Sequence, residues 1–318
     1  MSTNEARSGM AGSKSVGVLG LGNMGLGIAI TLKAAGWDVS GYDPDLGARR
    51  TAGNHGVACA DEGLPTSEAL VLSLPSAATV RQVIPELLKA GPPRVVIDTT
   101  TSDPRTSGEM ENLCERAGGH FVDAPVSGGR AGAWSGRLTA FVGGSEVAVE
   151  AASAVLTAFT SQWSHLGPVG SGNVVKLLNN MLCAANMASV AEAIDVLSAY
   201  GLDVPRSLAA LNTGSGRSSV STTVFEDSIL RGELTGGFTV GLMTRDVELG
   251  LAAALEGGAR PAVLSAAVDS WRGALERLGP AADCNVAPSA FTTATRCLDP
   301  AELRREPVRS AGEEEGAK

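Results

Sequence analysis

Gly20-Leu21-Gly22-Asn23-Met24-Gly25 is the stretch that decides how this chain folds. It follows a short apolar run, Val16–Gly20, and opens a helical stretch that reaches about Ala35 and is stopped by Gly36. A second apolar run, Trp37–Tyr42, ends in Asp43, which stands 23 residues after the first glycine. A GxGxxG turn between a strand and a helix, with an acid about 20 residues on, is a dinucleotide-binding βαβ unit. Gly20 permits the tight turn, Gly22 lets a pyrophosphate approach the backbone, and Gly25 lets the helix pack close to the strand. Leu21, Asn23 and Met24 complete the turn. The helix N-terminus offers free N–H groups and a favourable dipole to the phosphates. Asp43 is expected to accept hydrogen bonds from the adenosine ribose. A carboxylate there repels a 2′-phosphate, so NAD is expected, and Arg49 and Arg50 downstream leave NADP as the alternative.

Outward from this unit the chain alternates. Strands are expected at Ala69–Ser73, Arg94–Asp98, Gly119–Asp123 and Leu138–Val142, with helices between them such as Ala78–Leu88 and Arg105–Ala117. That is an α/β, doubly wound Rossmann-type domain, drawn here as residues 15–167. The pattern then changes. Asn173–Tyr200 reads as one helix about 40 Å long, apolar nearly all round and so buried among others. Pro205–Leu211, Ser221–Arg231, Met243–Leu255 and Ala262–Leu278 read as further helices. Residues 168–300 are thus expected to be all-helical, and are drawn here as a substrate and oligomerisation domain. Residues 1–14 are expected to be a disordered tail and 301–318 a charged one.

Composition narrows the class. The 318 residues are 44% hydrophobic and 19% charged, a globular profile, and the net charge of −9 with no basic run argues against nucleic acid. Five scattered cysteines, with no CxxC and no Cys/His cluster, predict free thiols in a reducing compartment and no metal site. Residues 1–14 lack the apolar core of a signal peptide. No uncharged apolar run reaches the roughly 20 residues of a membrane span. A cytoplasmic protein without a membrane partner is expected.

Lys176 is the sharpest single residue. It sits near the start of the apolar helix, where burying a lysine is costly, with Asn179 and Asn180 at i+3 and i+4 on the same face. Gly170-Ser171-Gly172 just before it suggests that something approaches the helix N-terminus closely. A desolvated lysine beside amides suits acid/base work.

Other segments turn that suggestion into a resemblance. Asp123-Ala124-Pro125-Val126-Ser127-Gly128-Gly129, continued by Gly132-Ala133, Gly136, Leu138-Thr139 and Val142-Gly143-Gly144, resembles the substrate-binding signature of the β-hydroxyacid dehydrogenases. The GLGNMG turn is similar to that family's cofactor signature, and Gly170 through Lys176 to Asn179-Asn180 to its catalytic GxGxxxKxxNN. The resemblance spans about residues 14–295. It implies that Lys176 is the acid/base, that Asn180 orients the substrate with Asn179 beside it, and that Ser127, Gly128 and Gly129 bind the substrate carboxylate. It also implies that Leu74 and Pro75 border the cofactor, with the Thr101 hydroxyl near the nicotinamide.

One departure stands out: where the family commonly has Lys-Asp-Leu in a late helix, this chain has Arg245-Asp246-Val247. Arg245 keeps a positive charge for the cofactor but forks differently and stays protonated. The expected reaction is hydride exchange between a small anionic 3-hydroxy acid and nicotinamide, at the carboxyl ends of the strands and between the domains. The alternatives are an imine reductase or a phosphogluconate-type dehydrogenase on the same architecture, or a non-catalytic dinucleotide-binding module. A homodimer or homotetramer is expected from the long apolar helix and from the resemblance.

Overall fold

The computed structural model describes residues 14–60 and 64–292; the expected N-terminal and C-terminal tails and Cys297 lie outside them, apart from Lys14. In chain order the elements of the first part are β1 Ser15–Leu19, α1 Asn23–Ala34, β2 Asp38–Tyr42, α2 Leu46–Asn54, β3 Ala58–Cys59, β4 Ala69–Leu72, α3 Ala77–Lys89, β5 Val95–Asp98, α4 Pro104–Arg116 and β6 His120–Asp123. They are followed by β7 Val126–Ser127, α5 Gly129–Ser135, β8 Leu138–Val142, α6 Glu146–Phe159 and β9 Thr160–His165. The first six strands form one parallel sheet in the order β3-β2-β1-β4-β5-β6. This is the dinucleotide-binding order, and it reverses direction between β1 and β4.

Both faces of the sheet are covered, so its strands read as apolar runs. Val16, Val18, Val71, Ile97 and Val122 pack with Ile28 and Leu32 of α1 and with α6. Their neighbours Leu19, Leu70, Leu72, Val96 and Phe121 point the other way, onto Val80, Ile84 and Met110 of α3 and α4. β7, β8 and β9 form a smaller mixed sheet.

Then comes α7 Ser171–Ala199, a continuous helix of 29 residues. It is followed by α8 Val204–Leu211, a π-helix at Val220–Glu226, a 3₁₀ turn at Ile229–Arg231, α9 Val240–Glu256, α10 Ala262–Leu278, a second 3₁₀ turn at Cys284–Val286 and α11 Pro288–Phe291. The chain divides into two compact units, with the division inside α7 between Leu177 and Leu178. The second unit has its own core, in which Trp271 and Phe225 pack with Met181, Met187 and Ile194 of α7. The Trp271 indole N–H donates to Ala184 O at 3.1 Å.

Two expectations need correcting here. Ser221–Arg231 is not one α-helix. The hydroxyls of Ser221, Thr222 and Thr223 donate to the Ser218 and Ser219 carbonyls, and such back-bonding competes with the helical ladder. The long helix is not buried all round either. Val174, Leu178 and Leu182 form an exposed apolar stripe, while Asn173, Lys176 and Asn180 lie on the buried face. Leu177, Met181 and Ala184 are buried as well, so on this helix polar and apolar residues are buried side by side. By length and composition α7 is long and apolar enough to cross a membrane, yet its buried face belongs to the protein core.

Candidate active site

In the turn after β1 the three glycines meet different surroundings. Gly20 has φ +87°, and a Cβ there would lie 2.2 Å from Ser73 O in the turn after β4. At Gly25 a Cβ would meet Gly20 O at 1.8 Å. Gly22 is different: nothing lies within 4 Å of its Cβ position, and its φ of −68° suits any residue. Nothing among the described protein atoms requires a glycine there. The first bond of α1 runs from Leu26 N to Gly22 O, so the N–H groups of Asn23, Met24 and Gly25 precede the helical ladder, as an anion site requires. These residues fit a pyrophosphate.

Asp43, at the end of β2, accepts from Leu21 N and from Asp45 N, both at 2.8 Å. One carboxylate thus ties the glycine turn to the end of the neighbouring strand. A carboxylate has about four acceptor sites, so these two bonds do not exhaust it. Arg49 is already engaged: Nη1 donates to Ala60 O at 3.0 Å, and the guanidinium lies over the Tyr42 ring.

Leu74 N, beside Pro75 in the turn after β4, donates to Thr100 Oγ1 at 3.1 Å. Thr100 N in turn donates to Asp98 Oδ1 at 2.9 Å, at the end of β5. Burial pushes the Asp98 carboxyl up to about 7, partly opposed by the Thr100 bonds. The resemblance points to Thr101, which is half-buried; the hydroxyl that holds the Leu74 loop belongs to its neighbour Thr100.

Asp123 was quoted in the sequence motif without a role of its own. It is fully buried, and its two oxygens accept from Gly170 N at 2.7 Å and Asn173 N at 2.8 Å. The end of β6 is thereby fastened to the start of α7. Burial raises the Asp123 carboxyl, and these backbone N–H bonds pull it back. Asn173 adds two ties: its Oδ1 accepts from Ser102 N at 2.9 Å, and its Nδ2 donates to Ser107 Oγ at 3.0 Å. A Cβ at Gly172 would lie 2.2 Å from Phe141 O and 2.8 Å from Asp123 Oδ2. What approaches the start of α7 is therefore protein: the Phe141 carbonyl and the Asp123 carboxylate. Lys176 follows Asn173 by three residues on the same face and is 8% exposed.

Ser127 closes β7. Gly128 and Gly129 then take φ +124° and +59° in succession, a backbone that only glycine adopts easily. A Cβ on Gly129 would meet nothing within 4 Å, so the turn is open on that side.

In the second unit four sequence-selected residues form one chain of bonds. Asn179 Nδ2 donates to Asn180 Oδ1 at 3.2 Å, and Asn180 Nδ2 to Asp246 Oδ2 at 2.8 Å. The other Asp246 oxygen takes Arg245 Nη2 at 2.8 Å and Nε at 3.1 Å. Asp246 is 1% exposed. It is thus a buried anchor for Asn180. Among the described residues no cluster of His, Cys, Asp or Glu could hold a metal. Cys59, Cys114, Cys183 and Cys284 are free thiols, and burial pushes Cys114 up to about 12.

The chain is similar to known proteins over most of its length. Residues 15–167 match the family described as the NAD binding domain of 6-phosphogluconate dehydrogenase. Residues 170–288 match the one described as NAD-binding of NADP-dependent 3-hydroxyisobutyrate dehydrogenase. The chain is 34% identical over 263 residues to 2-(hydroxymethyl)glutarate dehydrogenase of Eubacterium barkeri, covering 78% of this chain and 85% of that one. It is 37% identical over 256 residues to the mitochondrial 3-hydroxyisobutyrate dehydrogenase of Mus musculus, covering 76% of each. Among solved structures, 3-hydroxyisobutyrate dehydrogenase of Mycobacterium tuberculosis with L-serine superposes with a TM-score of 0.78 at 27% identity, over 88% of this chain and 99% of that one.

Proposed function

Because the chain belongs to the β-hydroxyacid dehydrogenases, and is a dehydrogenase of the 3-hydroxyisobutyrate type acting on CH–OH donors with NAD(P), we propose that it interconverts a small 3-hydroxy acid with its 3-oxo acid or semialdehyde, with Lys176 as the acid/base. The observation that carries this reading is the buried polar face of α7, on which Lys176 stands between Asn173 and Asn180. A core helix hides a lysine and two amides only at a cost, so a use for them is expected.

The bound dinucleotide supplies the hydride acceptor or donor at its nicotinamide ring. In oxidation the neutral Lys176 amine takes the proton from the substrate hydroxyl; in reduction its ammonium gives that proton back to the carbonyl oxygen. Asn180, its amide set by Asp246 and Asn179, has one N–H and one lone pair left to orient the hydroxyl. Ser127, Gly128 and Gly129 offer a hydroxyl and backbone N–H groups to the carboxylate. Asp43 favours NAD over NADP, with Gly20 through Gly25 holding the pyrophosphate and Leu74, Pro75, Thr101 and Arg245 bordering the rest. The exposed Val174, Leu178 and Leu182 stripe supports a homodimer or homotetramer. A cytoplasmic location is part of the same reading, supported by the free thiols of Cys59, Cys114, Cys183 and Cys284.

The test is a panel of 3-hydroxy acids, among them 3-hydroxyisobutyrate, glycerate and serine, followed by NADH absorbance beside alcohols that lack the carboxylate. The acids should turn over and the alcohols should not. Lys176→Ala should lower kcat by about 10²–10⁴-fold, with NADH binding kept. A Lys176→Ala enzyme with near-normal kcat would overturn the assignment.

A further inference from the structure

The turn read as the carboxylate-binding turn has little of its own to hold it still. Gly128 precedes α5, Gly129 opens it, and Gly136 ends it in the left-handed region at φ +65°. α5 itself has seven residues, far fewer than an isolated helix needs to be stable. Its orientation therefore has to come from what it packs on, and that is α1, the helix of the dinucleotide turn.

The fit is close and polar at both ends. A Cβ on Gly27 of α1 would lie 2.8 Å from Ala133 Cβ. The Thr31 hydroxyl is shared between Gly27 O at 2.9 Å and Ala133 O at 3.0 Å. The Trp134 indole N–H donates to Asn23 O at 3.2 Å, on the first residue of α1 and inside the GxGxxG turn. Trp134 is itself held. The Arg130 guanidinium lies over its ring at 5.2 Å, and the His55 ring meets it edge-on at 5.2 Å.

We propose that Trp134 and Thr31 are positioning residues that fix the Ser127-Gly128-Gly129 turn in register with the dinucleotide turn, so that substrate carboxylate and cofactor are presented together. The proposal rests on reading Ser127-Gly128-Gly129 as the carboxylate site. Neither residue touches substrate. Both act through α5, one on the Asn23 carbonyl and one on the Ala133 carbonyl.

The test uses Trp134→Phe, which keeps a ring for Arg130 and His55 but loses the N–H, and Thr31→Val, which keeps the shape but loses the hydroxyl. Thr31→Ser is the rescue variant and Ser127→Ala the control. The measurements are KM for the best hydroxy acid of the panel above, KM for NAD, kcat and the melting temperature. Each of the first two variants should raise the hydroxy-acid KM roughly three- to tenfold, the change that corresponds to one neutral hydrogen bond. KM for NAD and kcat should stay within about twofold, as losses confined to substrate binding require. Thr31→Ser should restore the wild-type value. A merely structural role would lower the melting temperature and leave the hydroxy-acid KM alone. If Ser127→Ala raises that KM and neither Trp134→Phe nor Thr31→Val does, the positioning role is wrong. If Ser127→Ala leaves it unchanged, the turn is not the carboxylate site, and the proposal falls with that reading.

Discussion

Asn180 Nδ2 donates to Asp246 Oδ2 at 2.8 Å, and this bond decides which way round the amide faces. An amide has two donors and two acceptor sites that differ only in orientation. With Asn179 feeding Oδ1 and Asp246 taking one N–H, the flipped amide would put like groups together on both sides. Asp246 can hold this arrangement because the Arg245 guanidinium occupies its other oxygen.

Asp246→Ala should therefore lower kcat about tenfold or more, although Asp246 is assigned no contact with substrate. It should also destabilise the protein, because removing one partner of a buried bond costs about 1–3 kcal/mol. Asp246→Asn is the sharper variant: it preserves volume but sets an NH2 group against one of the two donors, Arg245 or Asn180. Thermal melts and steady-state kinetics on both variants check this. Wild-type kcat in Asp246→Ala would remove Asp246 from the orienting role.

Cofactor choice should follow Asp43. NAD should give the higher kcat/KM, and Asp43→Ala should narrow the gap to NADP. The same substitution removes the acceptor of Leu21 N and Asp45 N, so NAD binding should weaken as well. Measuring kcat/KM for both dinucleotides separates the two effects. An unchanged NAD/NADP ratio in Asp43→Ala would mean that the carboxylate only braces the turn.

The pH dependence of stability should carry the mark of Asp98. Its carboxyl is raised from 3.8 to about 7 in the folded protein, so between those values the folded chain keeps a proton that the unfolded chain has lost. The stability this group contributes is complete below about pH 4, declines as pH rises, and is gone above about pH 7. Asp98→Asn has no proton to lose. The melting temperature of Asp98→Asn minus that of wild type should grow from pH 5 to pH 8 and then level off. A difference that is flat across that range would contradict the assignment.

The apolar stripe on α7 should be an interface between copies of the chain. Leu182→Glu, at 56% exposure the most exposed of the three stripe residues, should shift the mass measured by light scattering toward the monomer without unfolding the second unit. An unchanged mass would assign the stripe to another partner.

How much of this was legible in the sequence depended on how far apart the interacting residues lie. The glycine turn and Asp43 were legible because a local spacing encodes them. Lys176 and Asn180 were legible because four residues make one helical turn. Asp123 was legible only as part of a motif, since its partners Gly170 and Asn173 lie 47 and 50 residues away. Trp134 was not singled out either, because its partner Asn23 is 111 residues upstream and nothing local announces the pairing. β7 has two residues, too few to show a period, and β9 reads Thr-Ser-Gln-Trp-Ser-His, too polar to pass for a strand. α6 had a local signal that went unused: Ser145, whose side chain accepts from Ala148 N, stands just before an apolar helical run.

From the open space around Gly22, folding and function are predicted to select differently on three glycines of one motif. Substituting Gly20 or Gly25 drives a methyl group into backbone atoms, so the chain itself rejects the change. Substituting Gly22 with alanine meets no protein atom and no unfavourable backbone angle. A library screened for expression or protease resistance should thus keep alanine at residue 22 and lose it at 20 and 25. The same library screened for dehydrogenase activity should lose it at all three. The motif therefore records two histories, one written by the polypeptide and one by the molecule it carries.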